Sequence, residues 1–192
     1  MNGTWLEALA TWGIVVAYEL WLAWLKRRQP RWQARAVHAS LREDWFVAIS
    51  QQKGTEILEL QTLRNSLMSA TMIASTSALG LMGSLTLSIS SLQASFGHDG
   101  MAWPHLTPRL AMELVVSLLL FASLISSAFA IRYYTHAGFA ASMPVGSRER
   151  ARWESAGRMY VRKAGVLYSW GLRQLMLIVP MGAFILHPLA GV

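Results

Sequence analysis

The sequence predicts an all-α integral membrane fold: four transmembrane helices and two amphipathic helices on the cytoplasmic side, in a single membrane domain. Three observations carry this reading. Apolar residues lie in four long blocks, basic residues crowd into two of the three connections, and the blocks use so much of the 192 residues that no separate soluble domain fits. A helix rises ~1.5 Å per residue, so about 20 apolar residues match a hydrocarbon core roughly 30 Å thick. The clearest block, 110–131, has no charge after Glu113 and ends against Arg132; the others are 5–25, 64–89 and 166–186.

The chain is 54% hydrophobic and only 14% charged, with a mean hydropathy of +0.34. An oily soluble domain could share those values, but it would spread its apolar residues at core periodicity rather than gather them in blocks. With no cysteine, disulfides, thiolate nucleophiles and cysteine-ligated metal sites are excluded. No basic run precedes the first block, so it reads as a span and not as a cleaved signal.

A net charge of +7 and a pI near 10.4 would suit nucleic acid only if basic residues were interleaved with aromatics on one surface. Instead Lys26, Arg27, Arg28, Arg31, Arg35, Arg42 and Lys53 follow the first block. Arg132, Arg148, Arg150, Arg152, Arg158, Arg162 and Lys163 follow the third, and the middle connection holds only Arg109. Basic residues in short connections stay on the cytoplasmic side. Both termini are therefore expected outside, periplasmic for a bacterial inner (plasma) membrane. The basic connections are expected to attract anionic lipid, at about 1 kcal/mol per residue near the surface. No nucleic-acid partner is expected.

Each element has its own signals. Block one carries Trp5, Trp21 and Trp24 near its ends, levels that amphipathic aromatics favour, and Pro30 closes it. An amphipathic helix is expected at 34–52, with Leu41, Trp45, Ala48 and Ile49 sharing a face. Lys53-Gly54-Thr55 breaks the chain, and Thr55 suits an N-cap with Glu56 and Glu59 complementing the helix dipole. No proline then occurs until Pro104, which permits one long helix from about Glu56 to Ser90. Thr107-Pro108 signals the start of the third helix, and Pro144 with Gly146 ends its extension. A basic helix is expected at 147–163, its apolar stripe made of Trp153, Gly157, Tyr160 and Ala164. Pro180 is expected to kink the fourth span.

The second span is rich in hydroxyls, and Thr76, Gly80, Ser84 and Ser88 recur every fourth residue. Small residues at that spacing let helices approach closely, so one reading is a helix-packing seam. The other is a hydroxyl-lined path, with Ser and Thr standing in for water around a permeating species. Four charged residues, Glu19, Arg64, Arg132 and Arg173, stand close to or inside the inner half of the bilayer. Such charges cost ~3 kcal/mol on insertion scales, so they pair or line a wet cavity. Glu19 is the acid placed to compensate an arginine, with Asn65 as a further partner; alternatively the arginines form an electropositive vestibule for an anion or acidic headgroup. The five histidines form no HxxxH or HExxH pair, and His98-Asp99 with His105 offers only a sparse outer metal site. There is no Gly-rich phosphate loop, GxSxG elbow or paired membrane carboxylate, so neither an enzyme, a metal nor a cofactor is expected.

Several tracts occur in order along the chain: Arg42-x-x-Trp45; Gln61-Thr62-Leu63-Arg64-Asn65-Ser66-x-Met68-x-x-Thr71; Arg132-Tyr133-Tyr134-Thr135-His136-Ala137-Gly138-Phe139; and, more loosely, Gly171-x-Arg173. At these tracts the chain resembles the bacterial and plant membrane-protein family designated domain of unknown function 599. The resemblance implies a four-helix integral membrane protein without an assigned activity, and it groups Arg64, Asn65, Arg132 and His136 in one inner-face cluster. Four helices leave little room for an internal path, so conduction is expected to need a homo-oligomer with the second span facing its axis. The expected function is an oligomeric channel or small-solute or ion transport protein. Glu19, Arg64, Asn65, Ser69, Thr76, Ser84, Arg132, His136 and Arg173 would form its path or inner polar cluster. The alternative is a non-conducting scaffold or a module that binds anionic lipid or a partner protein.

Overall fold

The computed structural model describes residues 3–28, 34–96 and 107–187. These residues form five helices: α1 (Gly3–Arg28), α2 (Ala34–Ser50), α3 (Glu56–Phe96), α4 (Pro108–Ala141) and α5 (Arg148–Leu186), with no strand among them. All but α2 are long and apolar enough to cross a membrane. The turn expected at Pro30 and the connection carrying Gly97, Gly100 and Pro104 lie outside the described residues.

Helices α3, α4 and α5 are 41, 34 and 39 residues long. At ~1.5 Å per residue each overruns a hydrocarbon core by roughly 20–30 Å. Their starts follow local chemistry. Thr107 Oγ1 accepts from the Leu110 amide at 3.2 Å, and Ser147 Oγ from the Arg150 amide at 3.1 Å, each satisfying an otherwise orphaned donor. Thr55 behaves differently. Its hydroxyl donates to the carbonyls of Gln52 (2.8 Å) and Ile49 (3.2 Å), tying the end of α2 to the start of α3. Gly54 and Gly146 take φ of +89° and +83°, a region where a β-carbon is strained, and this is why the chain turns at those two points.

The division expected between a basic helix at 147–163 and a span at 166–186 is absent, because α5 is continuous. At the join only Gly165 is a poor helix former, and its cost of ~1 kcal/mol relative to Ala is too small to break a helix packed on both sides. The helix also continues through Pro180.

Contacts divide the chain into two compact units. The first takes Met1–Arg27, Thr76–Ser123 and Arg173–Val192. Its core joins Ala8 of α1, Met112, Val116 and Leu120 of α4, and Met181 and Phe184 of α5. The four-residue spacing in α4 keeps those three side chains on one face.

The second unit takes Arg28–Ser75 and Leu124–Leu172. Its core is alanine-rich (Ala70, Ala130, Ala137, Ala140, Ala164), which brings backbones close together, and Phe46 of α2 fills the remaining space. A β-carbon on Gly157 would lie 2.6 Å from the Phe46 ring, so this glycine makes room for it. The buried face of α2 is consequently Ala39, Phe46 and Ile49, whereas Leu41, expected on the apolar face, is 60% exposed. One residue is about 100° of rotation, and the face that packs is the one that reaches Gly157. In α5 the buried stripe is Arg150, Gly157, Val161 and Ala164; Tyr160 is half-buried and Trp153 exposed, so Arg150 occupies the inward position expected of Trp153.

Candidate functional site

In the first unit, Arg173 lies four-fifths buried or more and donates from Nε to Glu19 Oε1 at 2.9 Å, with Nη2 at 2.5 Å from the same oxygen. Its guanidinium also stands 5.9 Å from the Tyr18 ring centroid. A buried arginine without a counter-charge is expensive, so the carboxylate and the ring face together hold this charge.

The hydroxyl stripe of α3 meets α4 in the same unit. Ser77 Oγ donates to Ser123 Oγ at 2.9 Å, and the Ser84 and Ser117 hydroxyls bond at 3.0 Å. Gly80 admits Leu120, whose Cδ2 would stand 2.9 Å from a β-carbon there. Ser88 is buried and bonds the Ser84 carbonyl at 2.9 Å. Thr76 is exposed. A strict four-residue step drifts ~40° each time on a 3.6-residue helix. The inward positions are therefore Ser77, Gly80, Ser84 and Ser88, with Ser77 in place of Thr76.

In the second unit the strongest electrostatic feature is an ion pair that sequence reasoning did not find. Glu59 is fully buried and accepts from Arg150 Nη2 at 2.6 Å; Arg150 Nη1 donates to the carbonyls of Ala141 (2.9 Å) and Met143 (2.6 Å). One guanidinium thus neutralises a buried acid of α3 and closes the carboxyl end of α4. The two residues are 91 positions apart, so nothing local links them. The available signal was that Glu59 precedes Leu63 and Ala70 by four and eleven residues, which puts an acid in the buried stripe of α3. Nearer the surface, Glu43 of α2 is gripped by Arg158 Nε (3.2 Å) and Arg162 Nη1 (3.0 Å), successive on one face of α5.

The same unit holds a cavity of about 290 Å³. Arg42 and Trp45 of α2, Thr62, Leu63 and Ser66 of α3 and Tyr134 of α4 line it, so three of the tracts quoted above meet here. The Ser66 hydroxyl donates to the Thr62 carbonyl of its own helix at 3.0 Å, and Tyr134 is buried. A separate aromatic group stacks Tyr133 on Tyr160 (5.9 Å), sets His136 5.6 Å from Tyr160, and places the Lys163 ammonium 5.6 Å over Tyr133.

Arg64, Asn65, Ser69, Arg132 and His136 are all exposed. No hydrogen bond or ion pair links Arg64, Asn65, Arg132 and His136 to one another among the described residues. Ser69 bonds the Asn65 carbonyl at 3.0 Å, within its own helix. Among the described residues no three His, Cys, Asp or Glu side chains could hold a metal; His98, Asp99 and His105 lie outside them.

Among the described residues these features define the class: an all-helical fold with four helices long and apolar enough to cross a membrane, one buried ion pair (Glu59 with Arg150) and one partly buried pair (Glu19 with Arg173). The chain belongs to the family described as "Protein of unknown function, DUF599", whose model matches residues 8–192. No curated protein and no solved structure matches it.

Proposed function

We propose that this is a homo-oligomeric channel or small-solute transport protein of the bacterial inner membrane, with both termini periplasmic and α3 at the seam between copies. One observation carries the reading. Gln61, Arg64, Asn65 and Ser69 share an outward face of α3, and the Arg64 and Asn65 side chains bond to nothing among the described residues. An arginine set in hydrocarbon costs ~3 kcal/mol, so such a face belongs against water or another protein surface. A second copy offers both, since Asn and Ser side chains hydrogen-bond across paired helices. The route this supports lies between copies. Ser84 and Ser88 support packing instead, because Ser84 bonds Ser117 of α4 and Ser88 is buried.

The chain has no cysteine, which makes the test direct. Ser69→Cys should form a disulfide-linked dimer on mild oxidation, Thr76→Cys should react with a water-soluble thiol reagent, and liposomes holding the protein should pass small solutes. Failure of cross-linking together with absence of flux would overturn the reading. The Ser77–Ser123 and Ser84–Ser117 bonds favour a second reading, a non-conducting scaffold or lipid-binding module, for which cross-linking without flux is the expected outcome.

A further inference from the structure

Arg42 is a half-buried arginine with no counter-charge among the described residues. Its guanidinium lies over Gly165 of α5, where a β-carbon would collide with it. No carboxylate or carbonyl accepts from it among the described residues. The neighbouring acid Glu43 is held by Arg158 and Arg162, and Asp44 is exposed about 200° around the helix. The lining of the adjoining cavity therefore has one cation, three hydroxyls (Thr62, Ser66 and Tyr134), the Trp45 ring and no carboxylate.

That inventory matches one ligand chemistry. An arginine fork presents parallel N–H donors to an oxyanion, and hydroxyls supply the remaining bonds around a tetrahedral phosphate. The Thr62 and Ser66 hydroxyls donate to carbonyls four residues back, at 2.9 and 3.0 Å. Such rotors compete weakly for their own helix and can turn to a charged acceptor. At about 290 Å³ the cavity holds a headgroup and not a whole lipid. Its height fits as well. Thr62 and Ser66 bracket the start of the apolar stretch 64–89, and Tyr134 sits just past the end of 110–131. In the membrane orientation proposed above, this is the phosphate level of the cytoplasmic leaflet.

We infer that this cavity binds a phosphate-bearing anion, carried either by an acidic phospholipid or by a free phosphate ester. The inference rests on that orientation but not on self-association, and its readout is separate from cross-linking and flux. The full chain, purified in detergent, is offered phosphatidylglycerol or phosphatidylcholine, and retained lipid is counted by native mass spectrometry; a parallel arm titrates inorganic phosphate by calorimetry. Phosphatidylglycerol is retained in preference to phosphatidylcholine, Arg42→Gln weakens it about tenfold or more, and Arg152→Gln, an exposed basic residue, leaves it nearly unchanged. Lipid that phosphate does not displace identifies a headgroup; displacement, or phosphate binding alone with the same dependence on Arg42, identifies a soluble ester. Should Arg42→Gln fail to fold, the isosteric Thr62→Val weakens binding about threefold. Equal retention of the two lipids with no phosphate binding overturns the inference. So does equal behaviour of Arg42→Gln and Arg152→Gln, or an unchanged Thr62→Val.

Discussion

Replacing Arg150 with methionine removes three hydrogen bonds at once: one to the buried Glu59 carboxylate and two to the carbonyls of Ala141 and Met143. Methionine keeps most of the volume, so the change isolates charge from packing. Removing one member of a buried pair costs ~3–5 kcal/mol, because the other charge stays behind without compensation. Against a total stability of ~5–15 kcal/mol, that is a large fraction. The surface pair gives the contrast. Arg158→Met breaks a bond to Glu43 from a side chain 54% exposed, and such pairs contribute ~1 kcal/mol or less. The pair also leaves Glu59 Oε1 and Arg150 Nε without partners, so it is incompletely satisfied. The double variant Glu59→Leu with Arg150→Met should therefore recover to within about 1–2 kcal/mol of the parent or exceed it. Equilibrium unfolding of the purified protein in detergent measures the parent, Arg158→Met, Arg150→Met, Glu59→Leu and the double variant. If Arg150→Met costs under about 1 kcal/mol, or if the double variant is worse than either single one, the buried pair does not organise this unit in the way argued.

Glycines in α5 should separate by the space around them. Gly157→Ala drives a methyl into Phe46 and Ala140 and loses ~1–3 kcal/mol, whereas Gly182→Ala meets nothing within 4 Å and gains up to ~1 kcal/mol in helix propensity; thermal unfolding in detergent reads both signs. A double-mutant cycle on Ser77→Ala and Ser123→Ala should return a coupling of about 0.6 kcal/mol, and not above ~1.7, the range for hydroxyl bonds between membrane helices. Zero coupling would remove that bond from the seam.

The long elements were legible because their causes are local. Composition alone marks the four apolar stretches, and Thr107-Pro108 and Ser147 set helix starts through bonds that span three residues. Faces were harder to read. Whether Phe46 or Leu41 turns inward depends on a glycine in another helix, Gly157, and no window around α2 contains that fact. The continuous α5 was missed for a related reason: a weak breaker such as Gly165 is overridden when tertiary packing supports the helix on both sides. Glu19 with Arg173 could be anticipated, since charges stranded in apolar stretches must find each other. Glu59 with Arg150 could not, because each has a sufficient local explanation as a helix-dipole acid or as topology-setting charge. Only the burial of both shows that they belong together.

Everything rests on four crossings that leave the basic connections in the cytoplasm. Single cysteines at Asn2, Lys53, Arg152 and Gly191, introduced one at a time into the cysteine-free chain, test it in intact cells with a thiol reagent that cannot cross the membrane holding the protein. Asn2→Cys and Gly191→Cys label from outside, while Lys53→Cys and Arg152→Cys label only after permeabilisation. Protection of either terminal site in intact cells, or labelling of Lys53→Cys from outside, contradicts the account.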